Sequence, residues 1–397
     1  MKALVIAPQP VFSPRGTPYS VYYRMKTMAD LGEEIDLLTY GQGRDVDVDG
    51  VRIVRTPRLR LLGKIPVGPS FLKLLHDVMI LAYAFVLLIR HRYDYVHAHE
   101  EGVFIACILK PFFRFQILYD MHSSLPEQLT NFSYTRSKLL IRIFEWAEHK
   151  ALLTSDVIIV VSPTLFDYTT AITGDLSKIV LIENSLFEDV ALKEQNQSDG
   201  PNKVIEAARA LVRNGNPLVV YSGTLELYQG IDLLLESFRL LADEYDSVSL
   251  LIVGGELKQI EIYRDMAARL ELSDRCLFSG NVSQKVALSC IKLATMLVSP
   301  RRSGTNTPMK IYPQIASGVP NVATRIESHT QILNDDVAVL VAPDCRDMAR
   351  GMKEILDNPS GANRTAKNAK KLFDEKYSRE DYIAETRRVI GILGRPL

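Results

Sequence analysis

Two groups of residues have the types and spacing to do chemistry. The first is residues 303–324, SGTNTPMKIYPQIASGVPNVAT, which follow an apolar run at 296–299 and the pair Arg301 and Arg302. Gly304, Thr305, Asn306 and Thr307 are small and mostly polar. Thr307 suits a helix N-cap, Pro308 the first helical position, and Gly318 with Pro320 the end, so the spacing predicts a helix that opens at Pro308. Free N–H groups and the helix dipole at such an opening receive anions. Lys310 then falls in the first turn, where a cation opposes the dipole. An anionic ligand would account for it, and so would a solvated lysine on an ordinary turn. The second group is rich in histidine: His97, His99 and Glu100 in HAHEEG, and Asp120, His122 and Ser123 in DMHSS. A histidine such as His122, among small polar residues at a strand end, can donate to a ligand oxygen or exchange a proton near neutrality. A bond to a neighbouring backbone group is the plainer alternative. His97 and His99 share one strand face, but no third ligand stands in clear register, and no metal is expected.

The elements that must carry these groups alternate between apolar strand runs and helical patterns, the sign of a parallel sheet wrapped by helices. Strands are expected at 3–7, 35–40, 52–55, 93–97, 116–121, 157–161 and 179–182, with helices at 21–31 and 137–155. In open α/β sheets ligands sit beyond the carboxyl ends of the strands. Gly16, His97, His99, Glu100, Asp120, His122, Ser162 and Asn184 lie at or after such ends. A second series places strands at 218–221, 249–253, 276–279, 296–299, 321–324 and 337–341. Glycines recur after them, at Gly223, Gly254, Gly255, Gly280 and Gly304, and free the backbone amides to face a phosphate or a sugar. Between the two series, residues 187–216 are polar and read as a linker.

A chain of 397 residues implies two domains or more. Lys plus Arg and Asp plus Glu number 47 each, which gives no support to an electrostatic nucleic-acid binder. The four cysteines, Cys107, Cys276, Cys290 and Cys345, are far apart and read as reduced core residues of a cytoplasmic protein. The first residues run directly into a strand and lack the features of a secretory signal. Residues 71–89, FLKLLHDVMILAYAFVLLI, are flanked by Lys64 and by Arg90, His91 and Arg92. Lys73, His76 and Asp77 leave too short a run to span a bilayer. Two expectations stand: a buried crossover helix, or a helix lying on an anionic membrane together with KPFFRF at 110–115.

YSGTLELYQGIDLLLESFRLL, LLIVGG, RCLFSGNVS and MLVSPRRSGTNTPMKIYPQIASGVPNVAT resemble, in order and spacing, the C-terminal half of retaining glycosyltransferases of family 4. LADLGEEIDLLTY, YDYVHAHEEG, DMHSS and DVIIVVS extend the resemblance across the N-terminal half. It implies the α/β GT-B fold, two Rossmann-like domains facing across a central cleft, and no required metal or other cofactor. The implied domains are residues 1–186 for the acceptor, with a helix at 378–397 returning to them, and 217–377 for the donor nucleotide. The donor would be an NDP-sugar, UDP or GDP being the bases expected, and the acceptor a glycan, a lipid-linked glycan or a small molecule. Carried over residue by residue, donor contacts fall on Gly16, Thr17, Gly223, Thr224, Gln229, Gly254, Val282, Arg302, Gly304, Thr305, Asn306, Thr307, Lys310 and Ile311. The catalytic candidates are His122 and Lys310; His99, Glu100, Asp120 and Ser123 are acceptor-side candidates.

This chain departs from the family's pattern at four places. Thr224 and Gln229 stand where an arginine and a lysine usually hold the donor diphosphate, and Thr305 and Pro313 where two glutamates usually stand. Pro313 inside a regular helix would cost about 3 kcal/mol. Lys310, with Arg301 or Arg302 in reserve, is expected to supply the missing charge. A GT-B protein that binds or assembles without transferring sugar is the alternative from another class. A phosphorylase would need a cofactor lysine that has no clear place here, and an epimerase would need carboxylates that the strand-end loops supply sparsely.

Overall fold

Strand runs such as KALVIA and SLLIV are apolar on both pleat faces, which suits parallel strands covered by helices on either side. The computed structural model describes residues 1–12, 16–43, 47–58, 71–126, 137–183 and 203–394. Lys64, Asn184, residues 187–202 of the expected linker and residues 395–397 lie outside the described residues. The chain divides into two units, Met1–Asn184 with Glu380–Leu397, and Ser185–Arg379.

In the first unit the strands are β1 (Lys2–Ala7), β2 (Glu34–Thr39), β3 (Val51–Arg55), β4 (Tyr95–His99), β5 (Gln116–Met121), β6 (Val157–Val160) and β7 (Ile179–Leu181). They pair in parallel in the order β3-β2-β1-β4-β5-β6-β7. Helices α1 (Gly16–Asp30), α2 (Phe71–Arg90), α3 (Gly102–Leu109), α4 (Lys138–Thr154) and α5 (Pro163–Thr173) connect them. Ser162 caps α5 by accepting from the Leu165 N–H, with Pro163 in the first turn, as the SPT sequence dictates. Helices α2 to α5 cover one face, where Ile80, Ala84, Val103 and Leu152 join Ile6, Val96 and Ile117 in a single core. Arg24 of α1 lies on the other.

Three expectations change here. Gly16 opens α1 rather than following a strand in a loop, and β4 spans Tyr95–His99, ending two residues later than expected. The apolar helix is not wholly buried. Ile80, Ala84, Leu87 and Leu88 pack on the sheet, while Leu74, Val78, Phe85 and Ile89 face outward.

The second unit begins, among the described residues, with α6 (Lys203–Leu211), where a linker is expected from the sequence. Val204, Ile205, Ala208 and Leu211 fall on one helical face and pack beside Cys290 and Ile291, a spacing masked by the polar tract before it. The strands are β8 (Leu218–Ser222), β9 (Ser249–Val253), β10 (Cys276–Gly280), β11 (Met296–Ser299), β12 (Asn321–Thr324) and β13 (Val339–Val341), in the order β10-β9-β8-β11-β12-β13, all parallel. The helices are α7 (Ile231–Glu244), α8 (Leu257–Arg269), α9 (Gln284–Leu293), α10 (Ile311–Ala316), α11 (Glu327–Thr330), α12 (Cys345–Asp357) and α13 (Pro359–Lys376). The last helix, α14 (Arg379–Leu393), packs with the first unit: Arg24 lies 4.7 Å from the Tyr382 ring and its Nη1 donates to Thr386 Oγ1 at 3.4 Å. All four cysteines are free.

The helix expected from Pro308 starts three residues later. Lys310 occupies the N-cap and Pro313, which has no N–H, becomes the third helical residue, a position whose N–H has no intrahelical acceptor in any case. The cost attached to Pro313 therefore does not arise. A helix of six residues also contributes little dipole, which shifts the weight of any anion site onto side chains.

Candidate functional site

The carboxyl edge of the second sheet is fastened by its own backbone. Gly223 N–H donates to the Val253 carbonyl at 2.9 Å and Gly254 N–H to the Gly280 carbonyl at 3.0 Å. A Cβ on Gly254, whose φ is +113°, would lie 2.1 Å from the Gly223 carbonyl oxygen, so the three strand ends meet too closely for a side chain there. The turn Leu227–Gln229 ends at Gly230, whose φ is +72° and whose Cβ would lie 2.0 Å from the Pro300 carbonyl. Arg302 N–H donates to the Tyr228 carbonyl at 2.9 Å. The loops after β8 and β11 are thereby laced into one rim.

Two cations sit inside that rim. Lys310 Nζ donates to Gln229 Oε1 at 2.8 Å and stands 4.2 Å from the centre of the Tyr221 ring. Arg301 lies 5.1 Å over Tyr228, its Nη1 donating to the Asn306 carbonyl at 2.9 Å, and a Cβ on Gly304 would come within 2.4 Å of its guanidinium. Among the described residues neither cation has a carboxylate partner. Burial, followed by repulsion from Arg301, holds the Lys310 ammonium well below its ordinary pKa, and burial lowers Arg301 too. Arg301 Nε and Thr307 Oγ1 are buried without hydrogen-bond partners. Two half-buried like charges, with buried donors left unsatisfied beside them, form a preorganised anion site.

The expected donor-side residues divide. Gln229 and Gly223 stand against Lys310, and Gly304 and Asn306 against Arg301. Thr224 contributes its carbonyl to Tyr221 Oη at 2.5 Å, and Gln331 Nε2 donates to the Thr305 carbonyl. Ile311 is a core residue of α10, and Val282 packs in the core beneath α9. Arg302 is corrected: it makes an exposed ion pair with Asp232 at 2.9 Å, and Arg301 is the inward arginine. Gly16 and Thr17 open α1 of the first unit.

His329 escapes the sequence reading, since nothing in its neighbourhood marks it. Its Nδ1 lies 2.8 Å from the Thr324 carbonyl and must carry the proton, so Nε2 accepts from the Ser299 hydroxyl at 2.9 Å. It ties the end of β11 to the end of β12. Burial takes its pKa down to about 3, although the Thr324 carbonyl pulls the other way.

In the first unit Asp120 is the centre. Register pairs it with His99 across β4 and β5, and Arg24 Nε reaches its Oδ2 at 3.1 Å. His97 Nε2 lies 3.3 Å and His99 Nδ1 3.7 Å from the same oxygen, while His122 Nε2 lies 3.3 Å from Oδ1. All five groups are buried. Burial would raise the Asp120 carboxyl, but Arg24, His122 and His99 outweigh it and hold the group well below the usual carboxylate range. Burial pushes His97, His99 and His122 below the ordinary imidazole value. For His122 burial favours the neutral imidazole, while Asp120 pulls the other way.

Asp120 is also the third ligand in register that the sequence does not reveal. Ligand atoms of His97, His99 and Asp120 lie within 4.8 Å of one another. The guanidinium of Arg24 already holds that carboxylate, so a divalent cation added there would meet a fixed positive charge. The set therefore fits a metal poorly. At the strand end, Glu100 takes the Ser123 hydroxyl at 3.3 Å, and its carboxyl is pushed up to about 8 by burial and by Glu101. The loop after β5 is clamped by Glu148 of α4, another residue without a sequence signal, which accepts from Ser124 Oγ at 2.9 Å, Leu125 N–H at 2.7 Å and Tyr168 Oη at 2.7 Å.

These imidazoles set a pH dependence. Below about pH 6.5 the unfolded chain protonates histidines that the folded protein keeps neutral, so stability present above that pH is lost as pH falls. Stability is expected to drop steadily from pH 7 to pH 5, by at most about 1.4 kcal/mol per pH unit for each imidazole, and the thermal midpoint with it. A His329→Asn variant, followed by differential scanning calorimetry, should show a shallower slope; an unchanged slope would remove His329 from this account.

Residues 14–186 match the family model Glycosyltransferase Family 4, and residues 202–372 match Glycosyl transferases group 1. The chain is 27% identical over 197 residues to an alpha-D-kanosaminyltransferase of Streptomyces kanamyceticus, covering 47% of this chain. It spans about half the length of that curated relative, 50%. Among solved structures, sucrose-phosphate synthase from Thermosynechococcus elongatus superposes with a TM-score of 0.76 at 18% identity, covering 99% of this chain and 98% of the other. Anabaena HepE in complex with UDP does so with a TM-score of 0.73 at 15% identity, covering 99% of both chains. The two parallel α/β sheets, the glycine-bound strand ends and the matched models together place this chain in the group 1 glycosyltransferases of family 4, with the GT-B fold.

Proposed function

We propose that this protein transfers a hexose-type sugar from a nucleoside diphosphate sugar to a hydroxyl acceptor, a glycan, lipid-linked glycan or small molecule, with retention of configuration and without a required metal. The observation that carries the reading is the pair of half-buried cations, Lys310 and Arg301, neither of which has a carboxylate partner among the described residues. A diphosphate supplies the missing negative charge. It also takes the hydrogen bonds that Arg301 Nε and Thr307 Oγ1 do not make within the protein. The base favoured is uracil, because a neighbour of the same fold is known with UDP.

The demanding step breaks the bond between the anomeric carbon and the phosphate oxygen, leaving positive charge on the sugar and negative charge on the diphosphate. Fixed cations aimed at that diphosphate stabilise this charge without reorganising. The acceptor oxygen bonds to the anomeric carbon on the face that the diphosphate leaves, and its proton passes to a diphosphate oxygen. No protein nucleophile is required. His122, held beside Asp120 and 3.2 Å from His99 Nδ1, serves as a hydrogen-bond partner for a sugar hydroxyl, and Glu100 with Ser123 as candidates on the acceptor side.

A panel of UDP-, GDP-, ADP- and dTDP-sugars tests the reading by thermal shift and by slow donor hydrolysis. One base is expected to raise the melting temperature at millimolar concentration and to be hydrolysed. If no donor shifts it and none is consumed, the protein is a GT-B binding module instead.

A further inference from the structure

The outward face of α2 is apolar along its length. Leu74, Val78, Phe85 and Ile89 recur at helical spacing on one side, with Val78 57% and Ile89 62% exposed. The face does not end with that helix. α3 packs between α2 and α4, and beyond its C-terminus Phe113 meets Phe85 edge-on at 5.6 Å while Phe112 stands 73% exposed. On α4, Leu139, Ile143, Trp146 and Leu153 form a second outward stripe, Trp146 being 64% exposed. Monomeric proteins rarely leave so broad an apolar layer uncovered.

The charges around it say what covers it. Arg90 and Arg92 close α2, Arg114 follows α3, and Arg142 and Lys150 lie on α4; all are exposed, and among the described residues none has a carboxylate partner. Lys150 Nζ stands 5.3 Å from the Trp146 ring, the amphipathic pairing found where an apolar layer meets charged headgroups. Most acids of these helices are engaged elsewhere: Glu148 is buried, Asp77 binds Tyr40 and Glu101 pairs with Lys73, which leaves Glu145, exposed on the flank of α4, as the one acid near the face among the described residues. Although Lys73, His76 and Asp77 point to a run too short to span a bilayer, α2 is long and apolar enough to cross one by length and composition; its other side is part of the sheet core, which holds it parallel to a surface.

We propose that α2, the segment after α3, and α4 form one membrane-docking face for an anionic lipid bilayer, with the apolar stripes in the acyl boundary and the basic residues among the headgroups. α4 enlarges the surface beyond the two segments that the sequence suggests. The proposal does not depend on the transferase reading, since it concerns partitioning and not turnover. Apolar burial and the attraction of each basic residue to the anionic headgroups act together at such a surface.

Trp146 is the only tryptophan of the chain and reports directly. The full chain is floated with vesicles of phosphatidylglycerol and phosphatidylcholine at low salt, and Trp146 emission is followed with brominated lipid chains. Co-flotation, a blue shift and bromine quenching are expected with anionic vesicles, with weak binding to phosphatidylcholine alone. Arg90→Glu and Lys150→Glu should each weaken partitioning by about five-fold or more, and Val78→Gln with Phe85→Gln should abolish it while any donor-induced thermal shift persists. Protein that stays in the soluble fraction with unshifted emission overturns the proposal. So does a stable dimer that the Val78→Gln, Phe85→Gln variant dissolves to monomer, since the covering partner is then a second copy. Flotation without any donor response would sink only the transferase reading.

Discussion

Lys310→Met is expected to lower donor turnover by about 10²–10³-fold, the scale seen when one preorganised donor to a developing anion is removed. Methionine keeps an apolar stem over Tyr221 and removes the ammonium that Gln229 now accepts. The same change should leave stability unchanged or raise it. Lys310 has its pKa depressed in the folded protein, by burial and then by Arg301, so its charged form is disfavoured by folding at pH 7. A variant that melts as high as the parent yet turns over at background rate separates loss of function from loss of fold. The sign of the linkage makes a further demand: donor binding should take up protons at alkaline pH, because the diphosphate restores the lysine's charge. Lys310→Arg is expected to recover only part of the activity, since a planar guanidinium cannot occupy the ammonium's place between Gln229 and the Tyr221 face. Steady-state kinetics on the preferred donor decide this. Full turnover by Lys310→Met would remove the lysine from the mechanism and leave Arg301 as the sole cation of the site.

Asp120→Asn should produce the largest loss of stability of any single change at the two sites, about 3–5 kcal/mol, because Arg24 would remain buried without its counter-ion. At roughly 2–4 °C per kcal/mol this places the thermal midpoint on the order of 10 °C lower. Three buried imidazoles lose the negative charge beside them at the same time, His97 being the one that hydrogen-bonds to it. Arg24→Met is expected to destabilise by a comparable route, leaving the carboxylate unpaired, and the double variant should cost clearly less than the two single costs added. Additivity in that cycle, read from denaturant midpoints, would show that the pair is not coupled. The carboxylate's pKa is depressed, so its contribution is present above about pH 4 and is lost as pH falls further. Wild-type protein should therefore show a second, acid-side loss of stability that the Asp120→Asn variant lacks.

The two charged clusters differ in how far residue order exposes them. The loop at 303–310 could be singled out from its small residues and its position after an apolar run, and Lys310 with it. Which arginine turns inward could not be told, because Arg301 and Arg302 are neighbours of identical chemistry. The choice is made by Tyr228 beneath one and Asp232 beside the other, both far away in the chain. Pro313 seemed to threaten the helix only because the helix was expected three residues too early; the N-cap position is fixed by how Ile311, Tyr312 and Ile315 enter their core. The polar tract before Lys203 hid α6 for a related reason, since nine residues with one apolar face stand out only against the strands they cover.

Alternation of apolar strands with helical spacing, and glycines after successive strands, were sufficient to determine two parallel α/β sheets and the edges where ligands would collect, because both follow from local periodicity and backbone freedom. Pairing across β4 and β5, which brings Arg24 and three histidines onto Asp120, was decided by the folded structure alone, as was the outward turn of the stripes on α2 and α4. Burial and charge partnership depend on which distant segments pack together, and no stretch of residues read in order contains that information.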